Sequence, residues 1–402
     1  MTLTSHFVRR GMEAAHGGMH GMMAAADDSQ HGDGKPPQVP PVSGLVFFLS
    51  GFAVVLFMFT IIYTYGHILP TLCMIESPET EAYVPVDTME PTNPPAYSES
   101  AAPKPTDEED GDMLLVRNKP VTASIRATIL HLRARAGYWS RLRGLSMFLA
   151  WNILSGIILS IFVTIIGTAF GGRLRIAFGS RLGIAFATIA VETILSTFHM
   201  GWIHIVISEP NPKRWYQRIP SFKTWPKIAP AVALWATANQ VVAILPMLVC
   251  GSFGSLKHMD NPDYTPDKKD LYAVGAQGIM GMFLSVLLFI LLQIPASVTM
   301  VRVAASMLPE EDETIVPFDR TFGGKTTPTI LGGQGKIGLV EAWRSFAWAS
   351  RIRLVKLMIK VALIVMACWF FFTMVLVAEA HLLFGDKLGE MMKAMHGAVR
   401  HH

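Results

Sequence analysis

The sequence predicts an all-α fold: a polytopic transmembrane helix bundle of about six spans, with a disordered N-terminal tail and a disordered cytosolic linker. Three observations predict it. Six apolar blocks, at 43–65, 147–170, 183–207, 228–250, 272–301 and 361–383, each reach the roughly 20 residues that a helix needs to cross a hydrocarbon core of about 30 Å. The blocks are apolar on every helical face, as in Ala367-Cys368-Trp369-Phe370-Phe371-Phe372, which a half-exposed soluble helix is not. The 402-residue chain is 51% hydrophobic and only 16% charged, against about a quarter charged in soluble globular chains.

Element by element, this gives a Met/His-rich outer tail (1–42), a first transmembrane helix (43–65) and an acidic, Pro-rich linker (66–120). A basic amphipathic helix (121–146), a bundle of five membrane helices (147–385) and a second Met/His-rich tail (386–402) follow. The first block starts too late and runs too long for a cleaved signal peptide, so it reads as a retained signal-anchor. Three cysteines cannot build a disulfide framework. Lys and Arg favour cytosolic loops, and 22 of the 34 fall in the segments between spans one and two, three and four, and five and six. Both termini are therefore expected on the non-cytosolic side, of either the plasma membrane or an endomembrane.

The linker is rich in Pro, Ser and acid, including Asp107-Glu108-Glu109-Asp110, and cannot bury enough apolar surface to offset its ordering entropy. Within it, Pro94-Pro95-Ala96-Tyr97 is a PPxY segment, pre-set toward polyproline II and suited to the aromatic groove of a WW domain. An ordinary flexible linker is the plain alternative for these residues.

In the helix that follows, Ile125, Ile129, Leu132, Ala136 and Trp139 recur at helical spacing. Arg126, Arg133, Arg135, Arg141 and Arg143 occupy much of the rest. That pattern suits the anionic lipid surface or, equally, packing on the protein's own loops. Arg214-Trp215-Tyr216 and Phe222-Lys223-Thr224-Trp225 place basic and aromatic residues together at headgroup depth, which is interface anchoring and not a nucleic-acid surface.

No enzyme motif emerges. Gly324-Lys325-Thr326 has Asp319 where a phosphate-binding loop needs Gly, and Gly335-Lys336 has Ile330 there and Ile337 after it.

Polar residues inside the apolar blocks carry the remaining chemistry. Glu192 is the acid near a span centre, where charge is costly and usually faces the bundle interior. His199 lies two turns on and His204 follows; facing spans offer Asn152, Asn239, Gln240, Gln277 and Gln293. Together these form a polar track for protons or a small solute, or else hydrogen bonds between helices. The tails hold His16, Met19, His20, Met22, Met23 and His31 at one end and Met395 and His396 at the other, a thioether and imidazole set that suits copper. A low-complexity tail with no metal function is the alternative.

The N-tail resembles the outer tails of high-affinity copper transporters, although that family has three spans and a paired-Met motif in the membrane. The nearest counterpart here is Met200-Gly201-Trp202-Ile203-His204. Thr314–Gly324, the Arg126–Arg143 helix, Pro220-Ser221-Phe222-Lys223 and Glu341–Phe346 together resemble a family of fungal multi-pass membrane proteins over about residues 120–385. That family has no established activity, and genomes sometimes label its members ubiquitin carrier or conjugating proteins. The chemistry gives the label no support: a conjugating enzyme needs a soluble catalytic domain and a His-Pro-Asn, and this chain has neither. A ubiquitin link would run through a WW-domain ligase on Pro94–Tyr97.

Two functions follow as expectations: a membrane adaptor that recruits cytosolic WW-domain partners, or a transporter or channel-like protein for a small solute, proton or copper ion. The lack of an internal repeat tilts toward the adaptor.

Overall fold

The computed structural model describes residues 41–77, 82–83, 115–116, 120–169, 181–252, 268–326 and 335–385. Five helices are long and apolar enough to cross a membrane: Val42–Ile75, Tyr138–Ile165, Trp215–Ser252, Lys268–Ser306 and Trp348–Phe384. A bent pair, Arg181–Ile194 and Ser196–Ile207, passes the same test as a unit and, counted as one broken span, brings the number to six. The chain is thus a multi-pass helical membrane protein. Large apolar side chains such as Phe48, Phe52, Ile279, Phe283, Phe370 and Phe371 stay exposed along these helices, as a lipid environment allows.

Three spans depart from the expected blocks. Span one stays helical through Ile75 instead of ending at Tyr65, and Leu69–Ile75 is wholly buried. The stretch expected to open the linker is therefore part of the bundle, because its side chains are apolar and meet other helices. Span six starts at Trp348, well before its apolar block, since Arg351 and Arg353 find partners inside the protein. Span three is not continuous: it breaks at Leu195 and bends by 61°.

The molecule divides into two compact units. In one, the N-terminal part of span one and the C-terminal part of span six pair through Phe47 on Phe384 and Phe57 on Phe372, and the Ser50 hydroxyl donates to Glu379 at 2.6 Å. The other, Thr60–Leu363, holds the rest of the bundle and a layer of polar contacts at one end.

That layer joins the ends of spans one, three and five to the starts of two, four and six. Glu76, 2% exposed, accepts from the Val121 and Thr122 backbone N–H groups and the Thr122 hydroxyl, and pairs with Arg353 at 3.3 Å. Arg302 donates to the Met74 carbonyl and the Ser345 hydroxyl. The Arg143 guanidinium donates to the Ile205 carbonyl at 2.5 Å, and Arg218 pairs with half-buried Asp312 at 3.2 Å. Glu209 and Ile315 close a short bridge between the loops after spans three and five. With lipid tails as apolar as the side chains they touch, such bonds and close packing hold membrane helices together.

The basic helix Ile125–Ala136 belongs to this layer. Ile129 and Leu132 are buried, and the His131 ring bonds to the Ile315 carbonyl at 2.8 Å. Arg126, Arg133, Arg135 and Arg141 stay exposed and available to headgroups, with Arg135 also reaching Glu209. Arg143 turns inward to its carbonyl partner.

The loop Thr314–Gly324 clamps Arg302. Phe322 takes a left-handed φ of 50°, uncommon for a residue with a side chain. Its ring then lies 4.6 Å from the Arg302 guanidinium, which also faces Phe346 at 5.5 Å. Asp319 shapes the turn by accepting from the Thr321 N–H and hydroxyl and from the Gly323 N–H. A two-residue antiparallel ladder pairs Ala82–Tyr83 with Leu115–Val116.

Two outcomes follow. Removing one member of a buried ion pair strands the other, at a cost of about 3–5 kcal/mol. Arg353→Ala should therefore unfold far earlier than wild type in detergent, while Glu76→Gln with Arg353→Met should recover much of the loss; strictly additive losses would refute the coupling. At Asp319, burial pushes the carboxyl up, but the bonds from Thr321 and Gly323 and the Arg302 charge outweigh it and hold the carboxyl below its ordinary value of 3.8. A carboxyl depressed on folding adds stability above its unfolded value and loses it as pH falls through the folded one. Wild type should accordingly exceed Asp319→Asn at neutral pH and converge with it in acid, as measured by unfolding midpoints from pH 7 to pH 2.

Candidate functional site

Span irregularities converge on one place. In span one, Ile62–Ile68 is a π-helical stretch, with the Leu69 N–H donating to the Thr64 carbonyl five residues back. In span five, Phe289–Gln293 does the same, with Ile294 donating to Phe289. Each is followed by a proline, Pro70 and Pro295. Proline has no N–H for the carbonyl four residues earlier and its ring crowds it, so the helix widens there. Span three breaks in the same region, between Glu192 and His199.

These three distortions border a cavity of about 410 Å³ among all six spans, within the Thr60–Leu363 unit. Trp235, ten residues into span four, lies roughly 15 Å along that helix. The cavity thus runs from the polar end layer, where Met74, Val301 and Leu354 line it, about 15 Å into the bundle.

Its walls are aromatic and its polar groups few. Trp151 stacks on His199 at 4.1 Å between centroids, and Trp235 meets the same ring edge-on at 4.8 Å. Trp202 and Phe148 complete the wall, with Trp202 fixed by donating its indole N–H to the Tyr63 hydroxyl at 3.2 Å.

Glu192 accepts from the Trp151 indole N–H at 3.1 Å on one oxygen and from the Ser155 hydroxyl at 2.8 Å on the other. Two further lone-pair sites remain on the carboxylate. No Lys or Arg is among the described residues that line the cavity. Two buried polar atoms are unpartnered: His199 Nδ1, on a residue 3% exposed, and Gln293 Oε1, on a residue 8% exposed. Such atoms are rare in folded proteins and each costs about 1–3 kcal/mol.

Of the polar residues expected in the membrane, Asn152, Glu192, His199, Asn239 and Gln293 line this cavity. Three lie elsewhere. His204 bonds to the Ala304 carbonyl at 2.8 Å in the polar end layer. Gln240 borders an apolar groove between spans three and four, and Gln277 meets Cys250 through its backbone carbonyl. Of the eight residues read either as a polar track or as interhelical hydrogen bonds, five thus gather at one chamber and three lie away from it. Sequence reasoning missed the tryptophan walls and His67; Pro70 and Pro295, two residues beyond similar wide turns, were the available signal.

Among the described residues, no group of three His, Cys, Asp or Glu side chains is placed to hold a metal ion. His16, Met19, His20, Met22, Met23, His31, Met395 and His396, and the motif Pro94, Pro95 and Tyr97, lie outside the described residues. No family model, curated protein or solved structure matches this chain.

The unpartnered oxygen makes a test of whether the chamber is built for a ligand. Binding sites give up stability for function. Gln293→Met, similar in size but without the stranded oxygen, should raise the unfolding midpoint of the ligand-free protein, by about 1 kcal/mol or more in stability. A midpoint equal to or below wild type in scanning fluorimetry would show that Gln293 is satisfied by other means.

Proposed function

We propose that this protein carries a small polar solute across the membrane through this chamber, with Glu192 as its central binding group. The supporting observation is the coincidence of a broken span, two proline-linked π stretches and unpartnered polar atoms around one chamber. Irregular backbone is tolerated at membrane depth where it lines a cavity. Discontinuous helices around a midplane site are the common plan of secondary transporters, and π stretches concentrate at functional sites. A helix with a break can pivot there without losing a full set of backbone bonds, which suits alternating access. The basic end layer is taken as cytosolic, by the bias of Lys and Arg toward that side.

A second reading rests on the sequence: Pro94-Pro95-Ala96-Tyr97 recruits a WW-domain protein, making the chain an adaptor in addition to, or in place of, a carrier. The two separate cleanly. In proteoliposomes under a solute or proton gradient, Glu192→Gln should reduce flux at least tenfold while elution and helicity stay as in wild type. Deleting Pro94–Tyr97 should leave flux unchanged and abolish WW-domain capture. Absence of flux of any tested cation, amine or proton in wild type, with capture intact, would sink the carrier reading in favour of the adaptor.

A further inference from the structure

The chemistry of the chamber narrows what it can hold. An anion would meet the Glu192 carboxylate with no lysine or arginine in the lining to offset it. A purely apolar ligand would leave His199 Nδ1 and Gln293 Oε1 stranded, and Glu192 facing hydrocarbon. Burying an ionised carboxylate without a partner is costly, so a cation that enters gains most from this site. A compact metal ion lacks a set of three His, Cys, Asp or Glu ligands among the described residues.

The aromatic walls point the same way. Trp151, Trp202 and Trp235 all stand on the chamber, with Trp151 stacked on His199 and Trp235 edge-on to it, so the wall is rich in indole. Indole attracts cations most strongly of the side-chain rings, with about 2 kcal/mol or more available in a desolvated site. The two free lone-pair sites of the Glu192 carboxylate accept hydrogen bonds, so an occupant that supplies N–H groups is favoured.

We propose that the chamber selects a small protonated amine, of the ammonium or primary alkylammonium class. Its charge pairs with Glu192, its N–H groups donate to the free lone pairs of the Glu192 carboxylate, and its carbon faces the aromatic wall. This assignment rests on the reading of the chamber as a ligand site, but it does not require that the ligand be transported.

The test is equilibrium binding to the purified full chain in detergent, by intrinsic tryptophan fluorescence and isothermal calorimetry, with methylammonium, tetramethylammonium, acetate, glycerol and Cu⁺ as probes. Methylammonium should bind saturably, and at least tenfold more tightly than tetramethylammonium, which carries the charge but has no N–H. Acetate and glycerol should not bind. Glu192→Gln should weaken methylammonium at least tenfold, and Glu192→Leu should abolish the gap between the two ammonium ions. The wild-type comparison keeps the proposal exposed should either variant fail to fold.

Equal affinity for both ammonium ions would overturn the donor requirement. Preferential binding of glycerol, acetate or Cu⁺ would overturn the amine class while leaving a ligand site in place. Binding of none would overturn both the class and the site. Methylammonium binding with no flux in proteoliposomes would sustain the class and remove only the carrier function.

Discussion

Hydrocarbon offers no hydrogen bonds, and every polar group this chain takes into the membrane must be met by another part of the chain. The rest of the structure follows from how that demand is handled. At one end of the bundle much of it is met: Glu76 receives backbone donors, a hydroxyl and Arg353, and Arg302 is held by two oxygens and two aromatic faces, although Arg302 Nε and Arg353 Nε have no partner of their own. Around the chamber two buried atoms are unpartnered, and the Glu192 carboxylate receives one donor on each oxygen. The end layer, where four arginines are clamped, acts as the scaffold that holds the chamber's helices in place.

The same logic explains why the irregular turns stay ordered. The wide turns before Pro70 and Pro295 free backbone carbonyls, and these are acceptable because the helices flanking them are buried and anchored a few residues on. In span one, Leu69–Ile75 lies wholly inside the protein and ends at Glu76. In span five, Ile294 onward is almost fully buried and ends near Arg302. Each distortion is thus bracketed by a rigid anchor on the end-layer side, while the longer segments leading away from the layer are largely exposed. Movement about the wide turns would displace those outer segments more than the anchored ones.

Much of the architecture was legible in sequence, because long apolar blocks have few physical outcomes. The helix count came directly from block length. The misjudged details share a cause: each turned on who the neighbours are. Nothing local marks 66–75 as buried, since its apolar residues are as compatible with a linker entry as with a core. The break at Leu195 has no proline or glycine to announce it, and arises where Ser196, Thr197 and His199 pack fully inside the bundle. Glu192 was found because an acid in a span is rare enough to stand out. Trp151, Trp202 and Trp235 were invisible as a site, because tryptophan in a membrane segment is commonplace and only their convergence on His199 and Phe148 sets them apart. Gln240 and Gln277 looked equivalent to Gln293 by composition, and only helix rotation separates them.

The bend in span three also bears on membrane thickness. Its two halves, Arg181–Ile194 and Ser196–Ile207, would together measure about 39 Å if collinear, but at 61° their ends lie only about 34 Å apart. The hydrocarbon core is about 30 Å deep, and each ångström of mismatch costs a fraction of a kcal/mol. Straightening this helix therefore means stretching the surrounding bilayer or tilting within it. Were the helix to straighten, a thicker membrane would favour that change and a thinner one would oppose it.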